Sequence, residues 1–352
     1  MTKQKNVAAA AGSGQVAKLK RAEKRALERS QKKVKAPYCT RVVIPYDDGD
    51  SILAKFMQSA LGKKGASISS CPRMRTTFIA LEAFAKAGRW GKVDPCNLTF
   101  KQFRSFIQHR RGRVAAISLQ NEASHIRRAL RCVGRSEFAE VTCSRERLGI
   151  PSASRIGTGT AMDLDVLAAA LPKATDETKA ILLLEHALGL RHKEAIMSGK
   201  SLKNWKKAIE DGQPIVVRYG TKGGLARSVF LCPSKAKDAA AAIDSALKVL
   251  ESQPHLVNSV NLKAALSTNH KRMKRLGIAD ENAQHSLRRS FTVDQYDYYR
   301  EVLEMEEKKA WATLSRDLGH GDKRGRLVYN CYLKATLEQR EAARLAQASK
   351  AE

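Results

Sequence analysis

The sequence predicts a mainly α protein with one small β-hairpin, divided into two domains. Three observations support this fold class. The chain has 352 residues, which is long enough for two hydrophobic cores. Most of its apolar residues recur at the three- and four-residue spacing of amphipathic helices. One stretch, PIVVRYGTKGGLARSVFLCP at 214–233, instead has two β-branched runs around a Lys-Gly-Gly turn, which is typical of a hairpin.

The basic composition indicates a polyanionic partner. Lys and Arg number 64 against 35 Asp and Glu, which gives a formal net charge of +29. Residues 1–35 contain eleven basic and two acidic side chains, so most of the excess lies in the rest of the chain. Like charges repel until counter-charge binds, and double-stranded DNA is the partner we expect. No apolar run of the sequence approaches the length of a bilayer span, so we expect no membrane partner.

The cysteines and the first residues predict a cytoplasmic protein. Seven scattered cysteines, never arranged as Cys-x-x-Cys, argue against a disulfide framework and a zinc ribbon. Val7–Ala11 is too short and too weakly apolar for the core of a signal peptide. We therefore expect reduced thiols, most of which fill the core.

Changes in composition divide the chain into five segments. The first is a basic tail with a thin apolar stripe, which predicts disorder in the absence of DNA. A helical DNA-binding domain of four helices follows, with Asn97 as the N-cap of the third. A stretch rich in Ser, Gly and Thr predicts a linker to the second domain, and a helix-prone tail ends the chain. The predicted boundaries are 1–37, 38–142, 143–162, 163–332 and 333–352.

The second domain contains polar groups whose types suit the chemistry of a phosphodiester. Each alone has an ordinary explanation, because arginines and hairpin lysines are usually solvated and a buried tyrosine usually packs with its hydroxyl bonded. Their order along the chain makes them informative. The candidates are Arg191 in ALGLRHKEA, Lys222 in GTKGGLARSVFL, His285 and Arg288 in HSLRRSF, His320 in LGHGD, and Tyr329 in LVYNCYL.

Together these motifs resemble the signature of the tyrosine recombinase (phage-type integrase) family, which reads Arg…Lys…His-x-x-Arg…His/Trp…Tyr. Tyr329 stands nine positions after His320, which is the family's usual separation. Tyr332, one helical turn further on, is the rival nucleophile. The interval from His285 to His320 is longer than the family's, with REVLEMEEKKA as the predicted insertion.

The resemblance implies a site-specific DNA recombinase that cuts one strand at a time through a 3′-phosphotyrosine link. A phosphodiester is an anion, so Arg191 and Arg288 would hold its oxygens and stabilise the charge of the transition state. A tyrosine hydroxyl has an ordinary pKa near 10. His285 would therefore take up the proton as the hydroxyl attacks.

Three further residues complete the implied site. Lys222 would protonate the leaving 5′-oxygen, and His320 would hydrogen-bond a phosphate oxygen. Glu194, which follows Arg191 by three positions, would orient the other groups. No acidic cluster suited to Mg²⁺ accompanies this set in the sequence, so we expect a metal-independent reaction with no cofactor.

The resemblance also implies an architecture and an assembly. A helical core-binding domain and a mixed α/β catalytic domain would clamp DNA, and four protomers would exchange strands as a homo-tetramer. In the family the tail after the nucleophile often docks on a neighbouring subunit, although a frayed end fits this sequence equally well. Two alternatives stay open. One is a type IB-like topoisomerase, which relaxes DNA as a monomer, and the other is a non-catalytic basic DNA- or RNA-binding protein.

Overall fold

Two units make up the fold, one formed by residues 39–154 and the other containing residues 155–352. The predicted basic tail, 1–37, lies outside the residues that the structure describes. None of the described helices is long and apolar enough to cross a membrane. The structure, a computed structural model, describes residues 41–42, 51–62, 66–67, 70–153, 156–157, 159–279 and 284–351.

The amino-terminal unit is helical, as its apolar spacing predicts. Its helices bury their apolar faces in one core, in which Phe56, Phe78, Phe103 and Phe106 are fully buried. A two-residue antiparallel ladder and a π-helical turn, Phe138–Thr142, complete the unit. The elements are β1 (Arg41–Val42), α1 (Ile52–Leu61), β2 (Ala66–Ser67), α2 (Ser70–Ala87), α3 (Phe100–Arg110) and α4 (Ala116–Cys132).

The start of α3 differs from the prediction, because Thr99 and not Asn97 is its N-cap. The Thr99 hydroxyl accepts from the Gln102 N–H at 3.3 Å, and the Gln102 side chain accepts from the Thr99 N–H at 2.9 Å. This reciprocal pair is a capping box, which satisfies two N–H groups that the helix leaves free. The Asn97 amide instead donates to the Lys92 carbonyl at 2.8 Å.

The stretch 143–162, for which the sequence predicts a linker, begins inside the amino-terminal unit. Cys143, Leu148 and Ile150 are buried in the same core as the helices. Three apolar residues at irregular spacing are enough to hold a chain segment against a core, although they form no helical pattern.

The carboxy-terminal unit contains the predicted hairpin, which is confirmed. Its two strands, β3 (Ile215–Val217) and β4 (Arg227–Val229), pair antiparallel with Ile215 opposite Val229. Helices form the rest of the unit. They are α5 (Leu164–Ala170), α6 (Asp176–Leu188), α7 (His192–Ile196), α8 (Leu202–Glu210), α9 (Pro233–Ser252), α10 (Leu262–Arg275), α11 (Gln284–Asp297), α12 (Glu307–Asp317), α13 (Gly325–Val328) and α14 (Lys334–Ala351).

A π-helical turn, Tyr329–Leu333, joins α13 to α14 and contains both candidate tyrosines. The Lys334 N–H donates to the Tyr329 carbonyl, five residues back, where an α-helix would bond four residues back. We call this segment the π turn. Because it holds one residue more than an α-helical turn, the side chains that follow face different directions than a regular helix would give them.

Candidate active site

A left-handed turn places the first arginine of the site. Helix α6 ends at Gly189, whose φ of 57° is unfavourable for a residue with a side chain. A Cβ at this position would also collide with the Phe291 ring. The turn brings the Gly189 carbonyl to the buried Arg288, whose Nη1 donates to it. The Gly-Leu-Arg motif thus links the start of α7 to α11.

One backbone carbonyl joins the two predicted arginines. The Leu318 carbonyl, at the end of α12, accepts from Arg191 Nη2 at 3.1 Å and from Arg288 Nη2 at 2.5 Å. Arg288 is fully buried, whereas the Arg191 side chain keeps 22% of its surface exposed. Two guanidiniums distant in the sequence are therefore held side by side, and one of them is open to solvent.

The buried carboxylate of Glu194 holds this arrangement together. Its Oε1 lies 2.6 Å from Arg191 Nη1, and its Oε2 accepts from the Arg191 backbone N–H at 2.9 Å. Oε2 also lies 2.7 Å from Arg227 Nη2 and 3.7 Å from Arg288 Nη1. Burial alone would raise the pKa of Glu194, but the three arginines lower it to about 2. The carboxylate is therefore ionised at neutral pH, and it orients the arginines as the sequence predicts.

Arg227 is the residue that sequence reasoning missed. It is buried at 5% exposure on β4, and besides Glu194 it donates to the carbonyl of Asp317, next to the Leu318 carbonyl that the other arginines share. The sequence held one signal for Arg227: it stands two positions before Val229 on the predicted strand, so both side chains share one face. The structure shows that this face is buried. A charged residue at an inward position of a strand is rare unless it is paired.

Tyr332, and not Tyr329, meets the predicted histidines. Its hydroxyl lies 3.0 Å from His320 Nε2, and its ring is 5.2 Å from the His285 ring, centroid to centroid. The guanidinium carbon of Arg288 lies 5.7 Å from the centre of the same ring. Tyr332 is thereby placed among two histidines and an arginine of the predicted set.

Both histidines are neutral at physiological pH. Burial lowers the pKa of His320 to about 4, helped by the charges of Arg288, Arg191, Lys222 and Arg227. His285 keeps an exposed edge, but its partial burial and then Arg289, Arg288 and Arg191 lower its pKa to about 4 as well. In the tautomer with the proton on Nδ1, His320 Nε2 is free to accept the hydrogen bond of the tyrosine hydroxyl.

The other two predicted residues lie at the edge of this cluster. Lys222 is exposed in the turn between β3 and β4, where its charge contributes to the low pKa of His320. Tyr329 stacks on Trp311 of α12, with ring centroids 4.5 Å apart and an interplanar angle of 27°. The structure thus brings together Arg191, His285, Arg288 and His320, and the tyrosine that contacts this group is Tyr332.

A comparison with family models finds a match over part of the chain. Residues 149–294 match the family model described as Integrase. The match includes Arg191, Lys222 and the His285–Arg288 motif. Over these residues the chain is similar to integrases. His320 and both candidate tyrosines lie beyond the matched residues, so the choice of nucleophile depends on the geometry.

Two solved structures resemble this chain in part. The chain is similar to lambda integrase in a tetramer bound to a Holliday junction, with 16% identity and a TM-score of 0.46 over 78% of this chain and 77% of that chain. It is also similar to the Tn1549 transposon integrase in complex with transposon right end DNA, with 12% identity and a TM-score of 0.47 over 84% and 99% of the two chains. No curated protein matches the sequence.

Proposed function

We propose that this protein is a site-specific DNA recombinase that forms a 3′-phosphotyrosine intermediate with Tyr332 as the nucleophile. The observation that carries the proposal is the 3.0 Å contact between the Tyr332 hydroxyl and the neutral His320, beside the buried Arg288. The spacing argument for Tyr329 is set aside because that ring stacks on Trp311.

The arginines supply the phosphate site. Arg191, Arg227 and Arg288 surround a single Glu194 carboxylate, so the cluster carries an excess of positive charge. Arg288 Nε is buried and has no acceptor in the part of the chain that the structure describes. A buried unpaired donor costs roughly 1–3 kcal/mol, and a phosphate oxygen is an acceptor that would recover this cost.

The proton moves to His320 as the new bond forms. The hydroxyl oxygen of Tyr332 attacks phosphorus, the bond from phosphorus to the 5′-oxygen breaks, and His320 Nε2 takes the tyrosine proton. Lys222 gives a proton to the departing 5′-oxygen. The arginines stabilise the charge that develops on the non-bridging oxygens, so we propose that the reaction needs no metal ion.

The partner and the assembly follow from the reaction. A net charge of +29 fits double-stranded DNA as the substrate. An exchange between two duplexes cuts four strands, and each cut consumes one tyrosine. We therefore propose that four protomers assemble on the DNA.

Mapping the covalent adduct tests the proposal. Nicked suicide duplexes built from the DNA that flanks the gene would be incubated with the protein in EDTA, and the modified peptide would be identified by mass spectrometry. We expect the adduct on Tyr332, no adduct with Tyr332→Phe, and an adduct at the wild-type rate with Tyr329→Phe.

Other outcomes have distinct meanings. An adduct on Tyr329 would overturn the choice of nucleophile and keep the reaction. DNA binding without any adduct would favour a non-catalytic binding protein. Relaxation of supercoiled plasmid by the monomer, without strand exchange, would favour a topoisomerase.

A further inference from the structure

A short segment without helix or strand structure runs against the π turn and its neighbouring helices. It consists of Gly157 and residues 159–162, and we call it the strap. The Gly157 N–H donates to the Asn330 carbonyl at 2.9 Å, and the Ala161 N–H donates to the Thr336 hydroxyl at 2.9 Å. The strap is therefore bonded both to the π turn and to α14.

The other end of the strap is fixed to α11, the helix of the His285–Arg288 motif. The Met162 N–H donates to the buried Ser290 hydroxyl at 2.9 Å. Gly159 lies against the guanidinium of Arg289, whose Nε is 3.5 Å from the Cys331 carbonyl of the π turn. The strap thus connects the helix that holds Arg288 with the turn that holds Tyr332.

Gly157 fits this place because it has no side chain. A Cβ on Gly157 would lie 2.8 Å from the Cys331 carbonyl oxygen and 3.2 Å from the Cys331 Cα. These are backbone atoms of the residue that precedes Tyr332, so they cannot move aside as the end of a flexible side chain would. A methyl group at Gly157 would push the π turn itself.

The hydrogen bond to Asn330 is specific to the π turn. In a π turn the N–H groups bond five residues back and not four, so the carbonyl that is passed over needs a partner outside the helix. The Asn330 carbonyl takes such an external bond from the strap. The bond lies two residues before Tyr332, within the same turn.

We propose that the strap is a positioning element for the reaction, which holds the π turn so that Tyr332 rather than Tyr329 faces His320. This inference rests on the proposed function, because it assumes that Tyr332 is the nucleophile. Gly157 and Thr336 are its positioning residues and touch no substrate. Their effect should appear in the rate of cleavage and in the choice of tyrosine, and not in the affinity for DNA.

Two variant pairs test the strap in the full-length protein with the nicked suicide duplexes. Gly157→Ala is compared with Gly91→Ala, since a Cβ at Gly91 meets nothing within 4 Å. Thr336→Val, which loses the acceptor for Ala161, is compared with Thr336→Ser, which keeps a hydroxyl. The measurements are the rate of adduct formation, the tyrosine that is modified, the Kd for the duplex, and the urea midpoint.

We expect Gly157→Ala to slow adduct formation roughly 10²-fold, because a small displacement of a reacting group has an effect of this size. Thr336→Val should slow it about tenfold, the upper range for one hydrogen bond. Both should bind the duplex with wild-type Kd, and some adduct should move to Tyr329. The two control variants should stay within about twofold of wild type, as expected where no contact is lost.

The proposal is overturned if Gly157→Ala and Thr336→Val both react at the wild-type rate with every adduct on Tyr332. It is also overturned if the folded variants lose rate only in proportion to a loss of duplex binding. If Gly157→Ala does not fold, the Thr336 pair decides alone. Failure of the proposed function is seen separately, as a wild-type protein with no adduct on Tyr332, and the strap would fail with it.

Discussion

The two halves of the site are built in different ways. The arginine cluster, Arg191, Arg227, Arg288 and Glu194, is fixed by ion pairs and by backbone carbonyls inside the core. The tyrosine cluster, His285, His320 and Tyr332, is held by ring contacts and one side-chain hydrogen bond, and its tyrosine lies on a π turn. The arginine cluster is therefore part of the fold's stability, whereas the placement of Tyr332 is a local matter that can change without unfolding the core.

The largest effect that this comparison predicts is on stability, from Glu194→Gln. The neutral amide would leave three guanidiniums without the carboxylate that compensates them. We expect the free energy of unfolding to fall by about 3–5 kcal/mol, as when one partner of a buried ion pair is removed. Urea unfolding at pH 7 measures it.

The matched control is Glu341→Gln, which removes an exposed carboxylate paired with Arg344. Its urea midpoint should equal that of the wild type, because exposed ion pairs add little to stability. If Glu194→Gln also keeps the wild-type midpoint, the arginine cluster is not a stabilising part of the core and the contrast between the halves disappears.

The next effect is on rate, from Arg191→Ala. Arg191 is the partly exposed member of the pair that would hold the phosphate, and loss of one transition-state donor typically lowers the rate about 10²–10³-fold. Adduct formation on suicide duplexes measures it. Arg191→Lys should recover only part of the rate, because an ammonium lacks the fork geometry of a guanidinium.

Arg340→Ala provides the control, since Arg340 is an exposed arginine paired with Asp297. Its adduct rate should match wild type. A folded Arg191→Ala protein that reacts at the wild-type rate would remove Arg191 from the site.

The smallest effect is on the pH dependence of stability. The arginine cluster and the tyrosine cluster should lose their contributions to stability in different pH ranges. His320 has a pKa of about 4 in the folded protein against an ordinary value of 6.5, so the unfolded chain binds the proton first. Its contribution to stability is present above pH 6.5 and is lost as the pH falls toward 4. Glu194, with a pKa of about 2 against 4.5, contributes fully above pH 4.5 and loses its contribution only as the pH falls toward 2.

The variant His320→Gln removes the first of these contributions. The difference in unfolding free energy between wild type and His320→Gln, measured in urea at pH 7 and at pH 5, should be smaller at pH 5. An equal difference at both pH values would mean that the His320 ring is not kept neutral by the fold. Since the ring is only partly buried, the change should be smaller than the effect of Glu194→Gln.

Much of this fold was predictable because its signals are local. Helical spacing predicts the helices, and β-branched runs around Lys-Gly-Gly predict the hairpin that forms between β3 and β4. The Asn97 cap was wrong because Thr99, two residues later, forms a reciprocal pair with Gln102. Both residue types favour an N-cap, and the choice between them depends on a partner three positions further on.

The site was predictable in its residue types and less so in its geometry. Motif order predicts Arg191, Arg288, His285 and His320, which the structure brings together. Spacing from His320 predicts Tyr329 as the nucleophile, which stays a prediction. In the structure Tyr332, on the same π turn, is the tyrosine that contacts His320. Arg227 lies in the predicted hairpin, but its partners become visible only when β4 is placed against the end of α12.

The Leu318 carbonyl is a hydrogen-bond acceptor that a change of the Leu318 side chain does not remove. Arg191 and Arg288 both donate to this oxygen, which every amino acid at position 318 would supply. The buried side chain of Leu318 can therefore change to another apolar residue of similar volume while the acceptor stays the same. An ester in place of the amide that follows Leu318 would weaken the acceptor itself, whereas an apolar substitution of similar volume would leave the carbonyl that both arginines share.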